Sequence, residues 1–116
     1  MSKRSPTSFK RRAPDLITEE LVAVLSSKTW FEFKPLFTIV LDKLRARNAA
    51  SGGEEMLRLR AYEKLQGLVN QGVVTRAPRL TKKYKGVAAR IAILKEEMKA
   101  VRADWNKRLI AKAARA

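Results

Sequence analysis

The sequence predicts a mainly α domain: three helices, a small basic β-ribbon and a long C-terminal helix. Three observations predict it. Apolar residues recur at helical spacing through about 18–25, 35–47, 54–71 and 87–114, the signature of one buried helix face. A β-branched run, Val73-Val74-Thr75, follows Gly72 and is separated by Ala77-Pro78-Arg79 from a second short stretch, about 81–85. The last 30 residues are dominated by strong helix formers with an apolar stripe at heptad-like spacing. At 116 residues the chain suits one domain with a modest core.

In chain order, residues 1–14 are polar, free of acids and bracketed by Pro6 and Pro14. They read as a disordered basic arm, with Lys3, Arg4, Lys10, Arg11 and Arg12 able to track a phosphate backbone or enter a minor groove. An Arg- and Ser-rich start also suits a targeting signal, although two prolines disfavour the amphipathic helix of a transit peptide. The first helix is expected from Thr18, which can cap it, with Glu19 and Glu20 at its positive end and Ile17 stapled on Val22. Thr29-Trp30-Phe31-Glu32-Phe33 follows as a short aromatic strand, whose alternation would bury Trp30 or its neighbours. Base stacking is open to such aromatics, but a core or strand role fits them better because no arginine is interleaved.

Pro35 then opens a second helix, where its missing N–H costs nothing, and Leu36 through Leu44 make this the most buried helix. Gly52-Gly53 lies in a loop that closes on a capping box, Ser51 with Glu54, and the third helix runs to about Gln71. Its core stripe is Leu57, Ala61, Leu65 and Leu68, leaving Arg60, Lys64 and Asn70 facing outward, with Glu63 between the two cations. Gly72 ends it, as the residue that adopts the left-handed conformation at least cost. In the final helix Val87, Ile91, Leu94, Met98, Val101, Trp105 and Leu109 form the stripe. It can bury itself on the body or against the same helix of a second copy, making a homodimer. Its brevity for a free coiled coil favours the body.

Helix, glycine, β-branched strand, basic turn, basic strand: the order over residues 54–86, and the string LVNQGVVTR within it, resembles the third helix and wing of a winged helix-turn-helix DNA-binding domain. The resemblance implies a fold of three helices plus a small β-wing, with the aromatic segment as its first strand. It also implies that the third helix faces a groove and that the wing holds the phosphate backbone through Arg76, Arg79, Lys82, Lys83 and Lys85. The domain organisation is then a basic arm at 1–14, the winged-helix body at 15–86 and a basic amphipathic helix at 87–116.

The charge map points independently to a polyanion. Net charge is +15, yet residues 15–71 hold eight cations and eight acids and are neutral. The excess lies in the arm, in 72–87 with five cations and no acid, and in the last helix with eight cations against three acids. Such clusters neutralise phosphates and release counterions. The expected function is nucleic-acid binding, double-stranded DNA before RNA and with low sequence specificity, in a nucleoid-associated cytoplasmic setting, or a nuclear or organellar one in a eukaryote. An RNA-binding structural component of a ribosome or other ribonucleoprotein would carry the same charge map, and a protein-interaction module using the last helix is a third reading. Catalysis is not expected: with no His and no Cys the commonest general base, metal ligands and nucleophile are missing, and no carboxylate grouping stands in for them. Neither a cofactor motif nor a phosphate-binding loop is visible, and no apolar run approaches the roughly 18 residues of a membrane span.

Overall fold

The computed structural model describes residues 13–27, 29–50, 52–77 and 82–115. The elements run α1 (Leu16–Leu25), β1 (Phe31–Glu32), α2 (Phe33–Ala46), α3 (Glu54–Asn70), β2 (Val74–Arg76), β3 (Lys83–Gly86) and α4 (Ala88–Arg115). The chain is mainly helical, with one three-stranded antiparallel sheet in the order β1-β3-β2. None of the described helices is long and apolar enough to cross a membrane.

Local chemistry sets most of the element ends. Asp15, not Thr18, caps α1: its carboxylate accepts from the Thr18 backbone N–H at 3.2 Å and from the Thr18 hydroxyl at 2.9 Å. Carboxylate to third residue is the ordinary N-cap geometry, so Leu16 and Ile17 enter the helix and Ile17 packs at the core edge. At the other end, Ser26 Oγ donates to the Val22 carbonyl at 2.8 Å. Helix α2 begins at Phe33, ahead of the expected Pro35, which still sits in the first turn where backbone N–H groups have no helical partner. Its end is a full Schellman turn: Asn48 takes φ 56°, its N–H reaches Arg45 O and the Ala49 N–H reaches Leu44 O at 2.8 Å. Gly72 ends α3 in the same way, at φ 79°, with Val73 N–H on Leu68 O at 3.0 Å.

The residue that caps α3 is Gly53, two positions after the expected Ser51. Gly52 and Gly53 both hold positive φ, so the helix cannot begin before Glu54, and Gly53 is a cap without a side chain. Glu54 is therefore the first helical residue, too early to close a box, and reaches Arg45 at 3.5 Å. Ser51 lies outside the described residues.

The buried positions of the described chain are all apolar or aromatic. The main core joins Leu21, Val22 and Leu25 of α1 to Leu36, Val40 and Leu44 of α2, Leu65 and Leu68 of α3, Val74, Tyr84 and Ile91. A second cluster of Phe37, Leu41, Leu57 and Ala61 closes the α2–α3 interface, where Phe33 stacks on Phe37 and meets the edge of Tyr62. Of the aromatic strand, Phe31 and Phe33 are half-buried while Trp30 stays 41% exposed.

Gly86 is where sheet, α1 and α4 converge. A Cβ there would collide with the Leu25 carbonyl oxygen and with Ile91 Cδ1. The carbonyl is backbone and cannot swing away, so only glycine lets β3 run into α4 at this distance. Helix α4 then packs Ile91, Leu94 and Met98 on the core. Further along, Arg102 forms a two-point contact with Glu19 of α1, at 2.7 and 3.3 Å. Beyond it Trp105 is half-buried, and Leu109 and Ile110 are exposed. The stripe thus packs on the core over its first half only.

Gly86→Ala is expected to destabilise the chain by about 1–3 kcal/mol through overpacking, read from urea unfolding. Gly67→Ala, inside α3 with nothing within 4 Å of the added carbon, is expected to stabilise it by about 0.8–1.0 kcal/mol. Equal effects from the two changes would contradict this packing.

Candidate nucleic-acid interface

The β2–β3 ribbon follows directly from the turn at Gly72. Its register pairs Val74 with Gly86, Thr75 with Lys85 and Arg76 with Tyr84. Ala77 N–H to Lys83 O at 2.8 Å and Val87 N–H to Val73 O at 2.8 Å extend the pairing at both ends. Tyr84 points into the core, 3% exposed, and its hydroxyl accepts from Gln66 Nε2 of α3 at 3.1 Å. Because strand side chains alternate, Lys83 and Lys85 stand on the outer face of the sheet. Arg76 shares the Tyr84 face and is exposed beside α3. Lys82, just before β3, is also exposed. The ribbon's cations are thus divided between two faces.

The outward surface of α3 is poor in cations. Opposite its core stripe are Leu59, 53% exposed, Met56, 49% exposed, and Glu63, with Asn70 at the helix end. Arg60 is exposed and makes no ion pair among the described residues. Lys64 is exposed, as expected, and is also held by Asp15 at 2.7 Å, tying α3 to the start of α1. Partial burial opposes charge on Asp15, but the hydrogen bond from Lys64 and those from the Thr18 amide and hydroxyl outweigh it, and its carboxyl sits below the usual value. Lys3, Arg4, Lys10, Arg11, Arg12 and Arg79 lie outside the described residues.

Where α1, α2 and α4 meet, the acids are held in internal bridges. Arg47, at the end of α2, binds Glu20 at 2.6 Å and Glu19 at 3.3 Å, and Glu19 also holds Arg102. The bond from Glu20, and after partial desolvation the bond from Glu19, keep the Arg47 guanidinium above its ordinary value. By contrast Arg76, Lys82, Lys83 and Lys85 have no ion pair among the described residues, although Glu32 stands across the sheet from Lys83.

One aromatic, given a core or strand role from the sequence, lies exposed beside the ribbon's cations. Trp30 stands on the outer sheet face with Lys85 Nζ 5.5 Å from its ring centroid. The signal was present: in Trp30-Phe31-Glu32-Phe33 the two phenylalanines share one parity and Trp30 shares the other with Glu32. Comparison of the chain with protein families, with curated proteins and with solved structures finds no match.

The Asp15–Lys64 pair carries a pH signature. A depressed folded value means its stabilisation is complete above the ordinary Asp value of 3.8 and is lost as pH falls through the lower folded value. Asp15→Asn keeps an acceptor for the cap and removes the charge. It is expected to cost about 0.2–1 kcal/mol near neutral pH, a gap that closes in acid below about pH 4. Urea titrations across pH read it, and a gap persisting in strong acid would contradict it.

Proposed function

We propose that the chain is a winged helix-turn-helix protein that binds double-stranded DNA with low sequence specificity, in a chromosome-associated role. The element order α-β-α-α-β-β and the sheet order β1-β3-β2 support the winged-helix reading, as does the Schellman turn that passes α3 directly into the ribbon. The observation that carries the functional reading is the ribbon itself: Arg76, Lys82, Lys83 and Lys85 on a short antiparallel pair, free of internal acids.

The chemistry favours grip over reading. Bases in the major groove are read by Arg, Lys, Asn and Gln at their edges. The outward surface of α3 offers Leu59, Met56 and Glu63, with only Arg60 and Asn70 suited to that task. Phosphate contacts from the ribbon, the basic arm and the exposed Lys107 and Lys112 of α4 therefore supply the affinity. A second reading, an RNA-binding structural component of a ribonucleoprotein, is favoured by the distal half of α4. That half carries basic residues beyond the body, in a form able to thread between RNA segments.

Duplex affinity is expected to fall steeply with salt. Replacing Arg76 and Lys82 by Ala should lower the slope of log K against log salt by about 1 for each phosphate no longer neutralised. Lys64→Ala should leave that slope unchanged, because its ammonium is engaged by Asp15. Fluorescence anisotropy over a salt series measures this. Preference for structured RNA would favour the second reading, and binding insensitive to salt would overturn both.

A further inference from the structure

The outer face of the sheet carries an aromatic–cation arrangement whose ring the duplex reading leaves unused. Phe31 pairs with Tyr84 and Glu32 with Lys83, so Trp30 falls one step further, across from Lys85. Thr75 lies on the other side of Lys85, completing a row Trp30–Lys85–Thr75. The lysine ammonium sits over the indole at 5.5 Å. Phe31 and Phe33, on the opposite parity, are half-buried, and Tyr84 is in the core. Trp30, the largest of these rings, keeps 41% of its surface accessible. A tryptophan is the costliest side chain to leave in water, and this one is bordered by ammonium groups.

We propose that Trp30, Lys83 and Lys85 form a stacking site for an unpaired base of a single-stranded nucleic acid. The indole offers a π surface to the base and the lysines hold the flanking phosphates, the two elements of single-strand recognition. Lys85 exchanges its weak contact with the ring, a cation–π pair, for a phosphate when the base arrives, its flexible stem allowing the move. Glu32, directly across from Lys83, repels phosphate from the β1 edge and directs the strand toward Lys85 and Thr75. A duplex cannot use the site, because its bases are stacked on one another and their faces hidden. The ligand is therefore a single strand, or a bulge or end within a larger structure. The proposal rests on the nucleic-acid reading and shares Lys83 and Lys85 with it, but Trp30 belongs to the single-strand site alone, so the two modes of binding are separable by mutation of that ring.

The test uses the full chain in a Trp105→Phe background, which leaves Trp30 as the sole indole of the two in the sequence. Short oligothymidylate is expected to quench its fluorescence saturably. Trp30→Ala, followed by anisotropy of labelled oligothymidylate, is expected to weaken single-strand binding roughly 5- to 100-fold, with duplex affinity unchanged. Trp30→Phe, which keeps a ring, should retain most of the single-strand affinity. Duplex binding with no single-strand binding, or single-strand binding indifferent to Trp30→Ala, overturns this site alone. No binding to either nucleic acid overturns the parent reading as well.

Discussion

The register of β3 is the constraint on which the rest of the structure depends. This strand is central, paired on one side with β1 and on the other with β2. Tyr84 commits it to one parity by entering the core and bonding Gln66, and Gly86 commits its end by lying against the Leu25 carbonyl. A slip of one residue would place Lys83 or Lys85 in the core and Tyr84 in water, a change no rearrangement nearby could offset. Once the register holds, the distribution of charge follows from it. Arg76 accompanies Tyr84 toward α3, while Lys83 and Lys85 face away with Trp30.

The body around this strand pairs five of its eight acids, Asp15, Glu19, Glu20, Glu54 and Glu55, with cations of its own. Glu19 joins three elements at one carboxylate, bonding Arg47 at the end of α2 and Arg102 on α4. Partly exposed pairs of this kind contribute modestly to stability. Their larger effect is geometric: they fix where α4 lies and remove Glu19 and Glu20 from the field that an approaching polyanion meets. The excess positive charge of the chain is thereby left to the ribbon and the far end of α4, outside the paired body. An electrically balanced core with unbalanced appendages is a physical arrangement suited to gripping a backbone.

Much of this was legible in the sequence wherever the cause is local. Gly72 as a helix stop, the two strands after it and the four helices follow from periodicity and turn chemistry, each decided within a few residues. The misplaced ends were also local contests, decided narrowly. Asp15 and Thr18 can both cap a helix, and Asp15 prevails by accepting from both the amide and the hydroxyl of Thr18. Glu54 follows two glycines at positive φ, which deny it the position a capping box needs. What local pattern did not reveal are partners chosen across the fold. Lys64 lies on the outward side of a helical projection, yet Asp15 arrives from another helix to take it. Trp30 belongs to an aromatic run that suggests a core; its parity with Glu32 hints at the outer face, and its cation partner, Lys85, comes from a strand about fifty residues away.

The register of β3 can be tested directly, since the chain has no cysteine to interfere. Cysteines introduced together at Glu32 and Lys83, which are directly opposed, should form an intramolecular disulfide on mild oxidation. Opposed residues of an antiparallel pair lie about 4.5–5.5 Å apart at Cα, within the span a disulfide requires. Cysteines at Glu32 and Lys85, two residues out of register, should not. Peptide mapping of the oxidised double variants distinguishes the outcomes. Efficient closure of the 32–83 pair, with the oxidised form unfolding later than the reduced one, is the predicted result. Preferential closure of the 32–85 pair would mean that β3 is displaced by two residues along β1, and the placing of Trp30 across from Lys85 would fall with it.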